Sequence, residues 1–300
     1  MPRHLANLLL LLAGAIWGMG FVAQSTAMDS IGPFVFIGLR FLVAAILLAP
    51  FALRESRRAA HPVAPAHLAG FALIGLTLFV AMALQQVGLT ITTVTNSGFL
   101  TGLYVVFVPF ITLFVLGQRL HPVIWPAVLM TFVGIWMLAG GSLSALNVGD
   151  LLTIGCAVLW AVQVILVGRY VGPSGRPLTL SFIQFALASV LGLGVGLATE
   201  PFELTQITAA LPEILFAGLF ATGLAFTFQV IGQRYTTAPQ AAIFLSTESL
   251  FAALFGAVVL GERVPTLGYV GGLLIFLAIL LAELGPLVRA TRHAPGQKTL

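Results

Sequence analysis

Charge is what this chain most lacks. Only 7% of its 300 residues are Asp, Glu, Lys or Arg, against 59% hydrophobic, and its mean hydropathy is +1.09. A soluble domain carries about 25% charged residues. This inventory does not cover a water-facing surface, so the chain reads as an all-α polytopic membrane protein. There is a single lysine, Lys298, near the C-terminus. No Walker A loop is therefore present, which excludes ATP hydrolysis by the chain itself, and no lysine lies within the bilayer to hold a retinal Schiff base. The single cysteine, Cys156, excludes an intramolecular disulfide; it sits in an apolar run and reads as a small packing residue. The five histidines (His4, His61, His67, His121 and His293) are assigned to tails or loops, so no haem, metal or other cofactor is expected in the membrane. Without an intramembrane histidine or a Gly-x-Ser-x-Gly elbow, a hydrolase has no nucleophile and base to work with, and the chain is not read as an enzyme. The net charge of +4 reflects twelve arginines and one lysine against nine acids, and the basic residues lie almost entirely between apolar segments. Such charges meet lipid headgroups and do not mark a nucleic-acid binder.

What the chain has in abundance is internal repetition. Leu116-Gly117-Gln118-Arg119 returns as Leu260-Gly261-Glu262-Arg263, 144 positions later. At the same offset Arg40-Phe41 faces Gln184-Phe185, Gly88 faces Gly232, and Thr92-Thr93 faces Thr236-Thr237; Trp17 faces Trp160 at an offset one residue shorter. A helix needs about 20 apolar residues to cross the hydrocarbon core. Ten stretches qualify, near 5–27, 32–53, 66–88, 93–115, 122–140, 149–170, 178–198, 211–233, 239–260 and 266–285. The first is read as a retained helix, not a leader peptide, because it contains Trp17 and Gln24 and is matched by the segment around Trp160. The units are residues 5–140, residues 149–285, and a tail at 286–300.

Alternate loops differ sharply in charge. One side receives Arg3, Arg54, Arg57, Arg58, Arg119, Arg169, Arg176, Arg234, Arg289, Arg292 and Lys298; the other receives only Arg263. Asp29, Asp150, Glu200, Glu203, Glu213 and Glu262 fall on the second side. Basic loops stay in the cytoplasm, so both termini are expected there, in a cell (inner) membrane. Five spans per unit is an odd number, which forces the second unit into the membrane upside down. Inverted repeats place a substrate site near the midplane, between the halves.

Arg40 and Glu248 are the charged residues that fall deep within the spans, away from their ends. Each costs roughly 2.5–3.5 kcal/mol at a helix centre, and such residues are functional candidates. They lie at depths of about 12 and 18 Å, counted at 1.5 Å per residue. Three readings stand: a buried structural pair, separate recognition of a substrate's carboxylate (Arg40) and amino group (Glu248), or proton loading on Glu248. Neutral candidates surround them. Trp17, Phe21 and Gln24 share one helical face, and Trp160 and Gln163 are a turn apart on the equivalent helix. Asn96, Leu100 and Tyr104 correspond to Gln240, Phe244 and Glu248 across the repeat, and Gln85 to Gln229. Singly, such groups bond neighbouring helices; paired across the repeat, they outline a central cavity. The pairs Gly14/Gly18, Gly98/Gly102 and Gly268/Gly272 permit close helix contact, and Pro109 predicts a kink in the fourth span.

The stretch Ala15-Ile16-Trp17-Gly18, its partner Val158-Leu159-Trp160-Ala161, and Leu260-Gly261-Glu262-Arg263 followed by Gly268-Tyr269-Val270-Gly271-Gly272 resemble the EamA-type ten-helix branch of the drug/metabolite transporter superfamily. The likeness covers about residues 5–285 and is greatest to amino-acid exporters of the YddG type. It implies a secondary carrier in which four helices of each half surround the cavity while the fifth and tenth stand behind. Gln118 departs from the glutamate usual in that turn, which marks the acid there as structural and replaceable. The expectation is an exporter of amino acids, aromatic and other neutral ones favoured, working by alternating access. The alternative is a carrier for another small solute such as a lipophilic cation, a nucleoside or a sugar. The partners are the substrate and the lipid bilayer, with no nucleic acid and no ATPase, and the chain is a monomer or weak homo-oligomer.

Overall fold

The computed structural model describes residues 1–138, 147–263 and 266–292, with side chains up to Ala282 in the last helix. Ten apolar segments are helical: α1 (Arg3–Ala27), α2 (Pro33–Arg57), α3 (Pro65–Leu89), α4 (Val94–Val115), α5 (Ile124–Leu138), α6 (Val148–Ser174), α7 (Pro177–Thr199), α8 (Leu211–Gln233), α9 (Ala238–Leu260) and α10 (Thr266–Arg292). Eight are long and apolar enough to cross a bilayer, and α5 and α10 supply the shorter apolar stretches Ile124–Met137 and Thr266–Ala282. A short helix, Leu204–Ala209, precedes α8. Helix α10 runs past residue 285 to Arg292; the rest of the expected tail, with His293 and Lys298, lies outside the described residues. His4 and His67 correct the loop assignment, since both sit in the first turns of helices, α1 and α3.

Helix starts follow local chemistry. Prolines open α2, α3 and α7 at the position whose N–H has no helical partner. Asn147 and Asp150 form a reciprocal capping box at the start of α6, and Asp150 also accepts from the Thr92 hydroxyl at 2.7 Å. The capping of α2 and α7 is intermolecular in style but within one chain. Glu55, near the end of α2, accepts from Leu178 N (3.1 Å) and Thr179 N (2.8 Å) at the start of α7. Glu200, just past the end of α7, accepts from Phe34 N (2.9 Å) and Val35 N (2.8 Å) at the start of α2. The two helices clasp each other at both ends, and a carboxylate on an N-terminus is favoured by the helix dipole.

Packing follows a two-fold pattern. Helix α2 lies on α7 and α5 on α10; α3 on α6 is matched by α8 on α1, and α4 on α6 by α9 on α1. The α2–α7 crossing is tight, because a Cβ on Gly192 would meet Gly38 N at 2.8 Å. Small residues at contacts are how membrane helices gain van der Waals packing without a hydrophobic drive between them. Each contact in one half thus has its counterpart in the other, and five helices per half make the counterparts run in opposite directions. The fold is two inverted five-helix repeats.

Candidate functional site

Helix α9 is interrupted at Ser246 and resumes at Thr247, placing Glu248 in the first turn of its second segment. The hydroxyls of Ser246 and Thr247 each donate to a carbonyl three residues back, both at 2.8 Å, which satisfies backbone acceptors at the break. Two glycine pairs grip this segment. A Cβ on Gly14 would meet Thr247 Oγ1 at 2.3 Å, and one on Gly18 would meet Phe251 Cβ at 2.3 Å. From the other side Gly98 faces Ala252 and Gly102 faces Ser249, whose hydroxyl donates to Gly98 O at 2.6 Å. Helices α1 and α4 therefore hold the Glu248 turn between them.

Arg40 is 2% exposed and Glu248 4% exposed, and both border one small void at the centre of the molecule. Among the described residues they make no ion pair with each other or with any other charge. Arg40 is held by neutral oxygens instead: its Nε donates to Thr222 Oγ1 (3.0 Å) and its Nη1 to Gln24 Oε1 (2.8 Å). The rings of Phe36 and Phe41 lie 5.8 and 5.5 Å from its guanidinium carbon. Thr222 is presented by a π-helical turn, Ala217–Leu224, in the middle of α8. Glu248 Oε1, the Tyr104 hydroxyl and Trp160 Nε1 are buried and make no hydrogen bond of good geometry, but the Tyr104 hydroxyl lies against the Glu248 carboxyl and interacts with it.

Aromatic rings close the other side of the void. Phe226 is the hub, with centroids 4.7 Å from Trp17, 5.4 Å from Trp160 in a stacked arrangement, and 5.9 Å from Phe185. Trp17 and Trp160 are 5.7 Å apart, and the Trp17 indole donates to Ala221 O at 2.8 Å. Sequence reading missed Phe226 and Met82, both of which line the void. They face each other at the 144-residue offset, three residues before the Gln85/Gln229 pair, so the repeat contained the signal.

Of the sequence candidates, Trp17, Phe21, Gln24, Arg40, Gln85, Trp160 and Glu248 border this void. Gln85 donates to Thr101 Oγ1 at 3.0 Å. Gln163 and Gln229 are fully buried away from it, in an amide chain: Gln229 Nε2 donates to Gln163 Oε1 (2.9 Å), and Gln163 Nε2 to Gln184 Oε1 (3.4 Å). Gln184 is the repeat counterpart of Arg40, so the second half holds neutral amides where the first holds a cation. Phe244 is packed into the core and Asn96 sits in the first turn of α4, away from the void.

The central void measures about 20 Å³, room for little more than one water. A second cavity, of about 520 Å³, opens on the face that carries most of the basic residues. It is bounded by the end of α4, the start of α9 and the C-terminal part of α6, and Arg3, Arg119 and Arg169 stand at its rim. Arg3 donates to Gln240 Oε1 across it. The wide cavity thus opens on one face, while the centre of the molecule holds only the small void.

Known proteins agree with this architecture. The profile of the EamA-like transporter family matches residues 4–140 and 147–284. A protein of Archaeoglobus fulgidus described as an uncharacterized transporter is 34% identical over 94% of this chain and 87% of its own length. A Salmonella typhimurium protein described as a probable amino-acid metabolite efflux pump is 25% identical over 96% of this chain and 98% of its own. One solved crystal structure shares the fold with a TM-score of 0.76 at 18% identity, covering 97% of this chain and 99% of that one. With both halves matched and a relative above 30% identity along nearly its full length, the chain belongs to the EamA-like transporter family and is a multi-pass membrane transporter.

Proposed function

We propose that this transporter exports amino acids, neutral and aromatic ones in particular, by alternating access through the central void. The observation that carries the reading is a buried basic and a buried acidic side chain on one void, neither of them in an ion pair. Buried charges are normally paired, because desolvating an ion costs several kcal/mol. Arg40 and Glu248 border the same space without meeting. A zwitterion satisfies both at once: its carboxylate accepts from Arg40, its ammonium donates to Glu248 Oε1, and its side chain rests on Trp17, Trp160 and Phe226. Ligand pockets occupy about 300–1,000 Å³, so the site must widen when the mouth on one face closes and the other opens. The kinship with a protein described as an amino-acid metabolite efflux pump supports the same substrate class.

The test is reconstitution into liposomes, with a panel of labelled amino acids offered with and without a pH gradient. Counterflow of phenylalanine or another neutral amino acid is expected. Absence of uptake and counterflow for every amino acid would overturn the substrate reading while leaving family membership untouched.

A further inference from the structure

Helices α4 and α9 form an antiparallel pair related by the repeat, as α2 and α7 do, but their mutual clasp is only half made. At the acidic face, Glu262, two residues past α9, accepts from Val94 N (3.2 Å) and Thr95 N (3.1 Å) in the first turn of α4, and from the Thr95 hydroxyl. At the basic face the counterpart of Glu262 is Gln118, past the end of α4, and the counterpart of Val94-Thr95 is Ala238-Pro239, opening α9. These groups border the 520 Å³ cavity, and no side chain caps α9.

The two turns are otherwise alike. Gly117 and Gly261 take left-handed φ of 64° and 71°, and the amides of Gln118 and Glu262 each bond the carbonyl six residues back at 3.1 Å. Gln118 is therefore presented as Glu262 is, with nothing in reach. What differs is the helix behind it. Pro109 removes a backbone donor from α4, and the next turns, Ile111–Val115, are π-helical, whereas α9 has Ala253 at the matching position and continues as α-helix.

We infer that these reciprocal clasps are the two gates of the transporter, Glu262 on α4 sealing the acidic face and Gln118 on α9 sealing the basic face, each made only when the other is broken. The α2–α7 pair, clasped at both ends by Glu55 and Glu200, is the axis that stays fixed. The sequence weights the gates unequally in two independent ways. Gln118 is neutral where Glu262 is charged, and a charge-assisted bond to a helix start is roughly twice as strong. Pro239 also deprives α9 of one amide that Thr95 supplies to α4. The basic-face gate is the weaker, and the transporter rests open on that face.

The inference assumes alternating access but not the amino-acid substrate. It is tested on the full chain in proteoliposomes without substrate, in a Cys156→Ala background, by spin-label distances between Leu120 and Thr236 at the basic mouth and between Ile91 and Arg263 at the acidic mouth. Gln118→Glu adds the missing charge and Pro239→Thr the missing donor. Each is expected to raise the population with a short basic-mouth distance and a long acidic-mouth distance, by roughly tenfold in ratio for Gln118→Glu. Glu262→Gln is expected to shift the ensemble in the same direction. If Gln118→Glu and Pro239→Thr insert normally and leave both distributions as in the parent, or close the basic mouth without opening the acidic one, the gate assignment is overturned. Lack of amino-acid transport alongside the expected shifts overturns the substrate reading and leaves the gates standing.

Discussion

At the scale of single residues, the proposed substrate chemistry rests on Arg40 and Glu248. Arg40→Gln keeps a donor for Gln24 or Thr222 but removes the charge that would take a carboxylate. Transport of a zwitterion is expected to fall at least tenfold, as the loss of a charged hydrogen bond of about 1.5–3 kcal/mol requires, while membrane insertion persists. Glu248→Gln discriminates further. If Glu248 receives the amino group or a proton, this variant loses transport or its response to a pH gradient; an unchanged rate and pH dependence, read by counterflow at acidic and alkaline pH, would sink both functional roles. Much of this was legible in the chain, because an ionised residue in an apolar span is rare enough to stand out alone. The partners of Arg40 were not legible. Thr222 lies 182 residues away on a π-helical turn, and nothing local in its sequence marks it.

Among elements, α1 and α4 both pack on α9, and the proposed gates lie where α4 and α9 meet. Glycines 14, 18, 98 and 102 were readable as contact residues from their spacing, but not what they contact, since any smooth face can meet any other. All four meet the Glu248 segment of α9. Gly18→Leu is expected to destabilise the fold by about 1–3 kcal/mol or more, the range for overpacking, because its Cβ would lie 2.3 Å from Phe251 Cβ. Gly172→Ala, where nothing lies within 4 Å, is the control and should be neutral. Thermal unfolding in detergent measures both, and equal midpoints would refute the tight contact. At Pro109, where a kink is expected, the helix changes type from α to π at Ile111. The π turn of α8 has no proline; it lies where Gly218 packs closely on Val43 and the Arg40 carbonyl of α2.

For the whole molecule, charge along the chain predicts orientation. With Arg263 alone among basic residues on one face, both termini should be cytoplasmic. A C-terminal fusion to a fluorescent protein that matures only in the cytoplasm should therefore glow, and a C-terminal alkaline phosphatase should be inactive. An active phosphatase would reverse the orientation and, with it, the direction in which the open mouth faces.

The chain by itself determined the membrane class, the ten helices, the doubling and the inversion, because these follow from hydropathy, span count and loop charge, all of which are additive along the sequence. It also singled out the two charged residues that border the central void. Only the tertiary structure decided that Arg40 and Glu248 share a void without pairing, that Phe226 is the aromatic hub, and that Gln163 and Gln229 bond each other away from it. Those outcomes depend on where helices cross and how each is rotated, and side-chain packing between distant segments sets both. The same holds for Gln118 and Glu262. In sequence they are two versions of one turn; in space one is clasped and the other faces an open cavity.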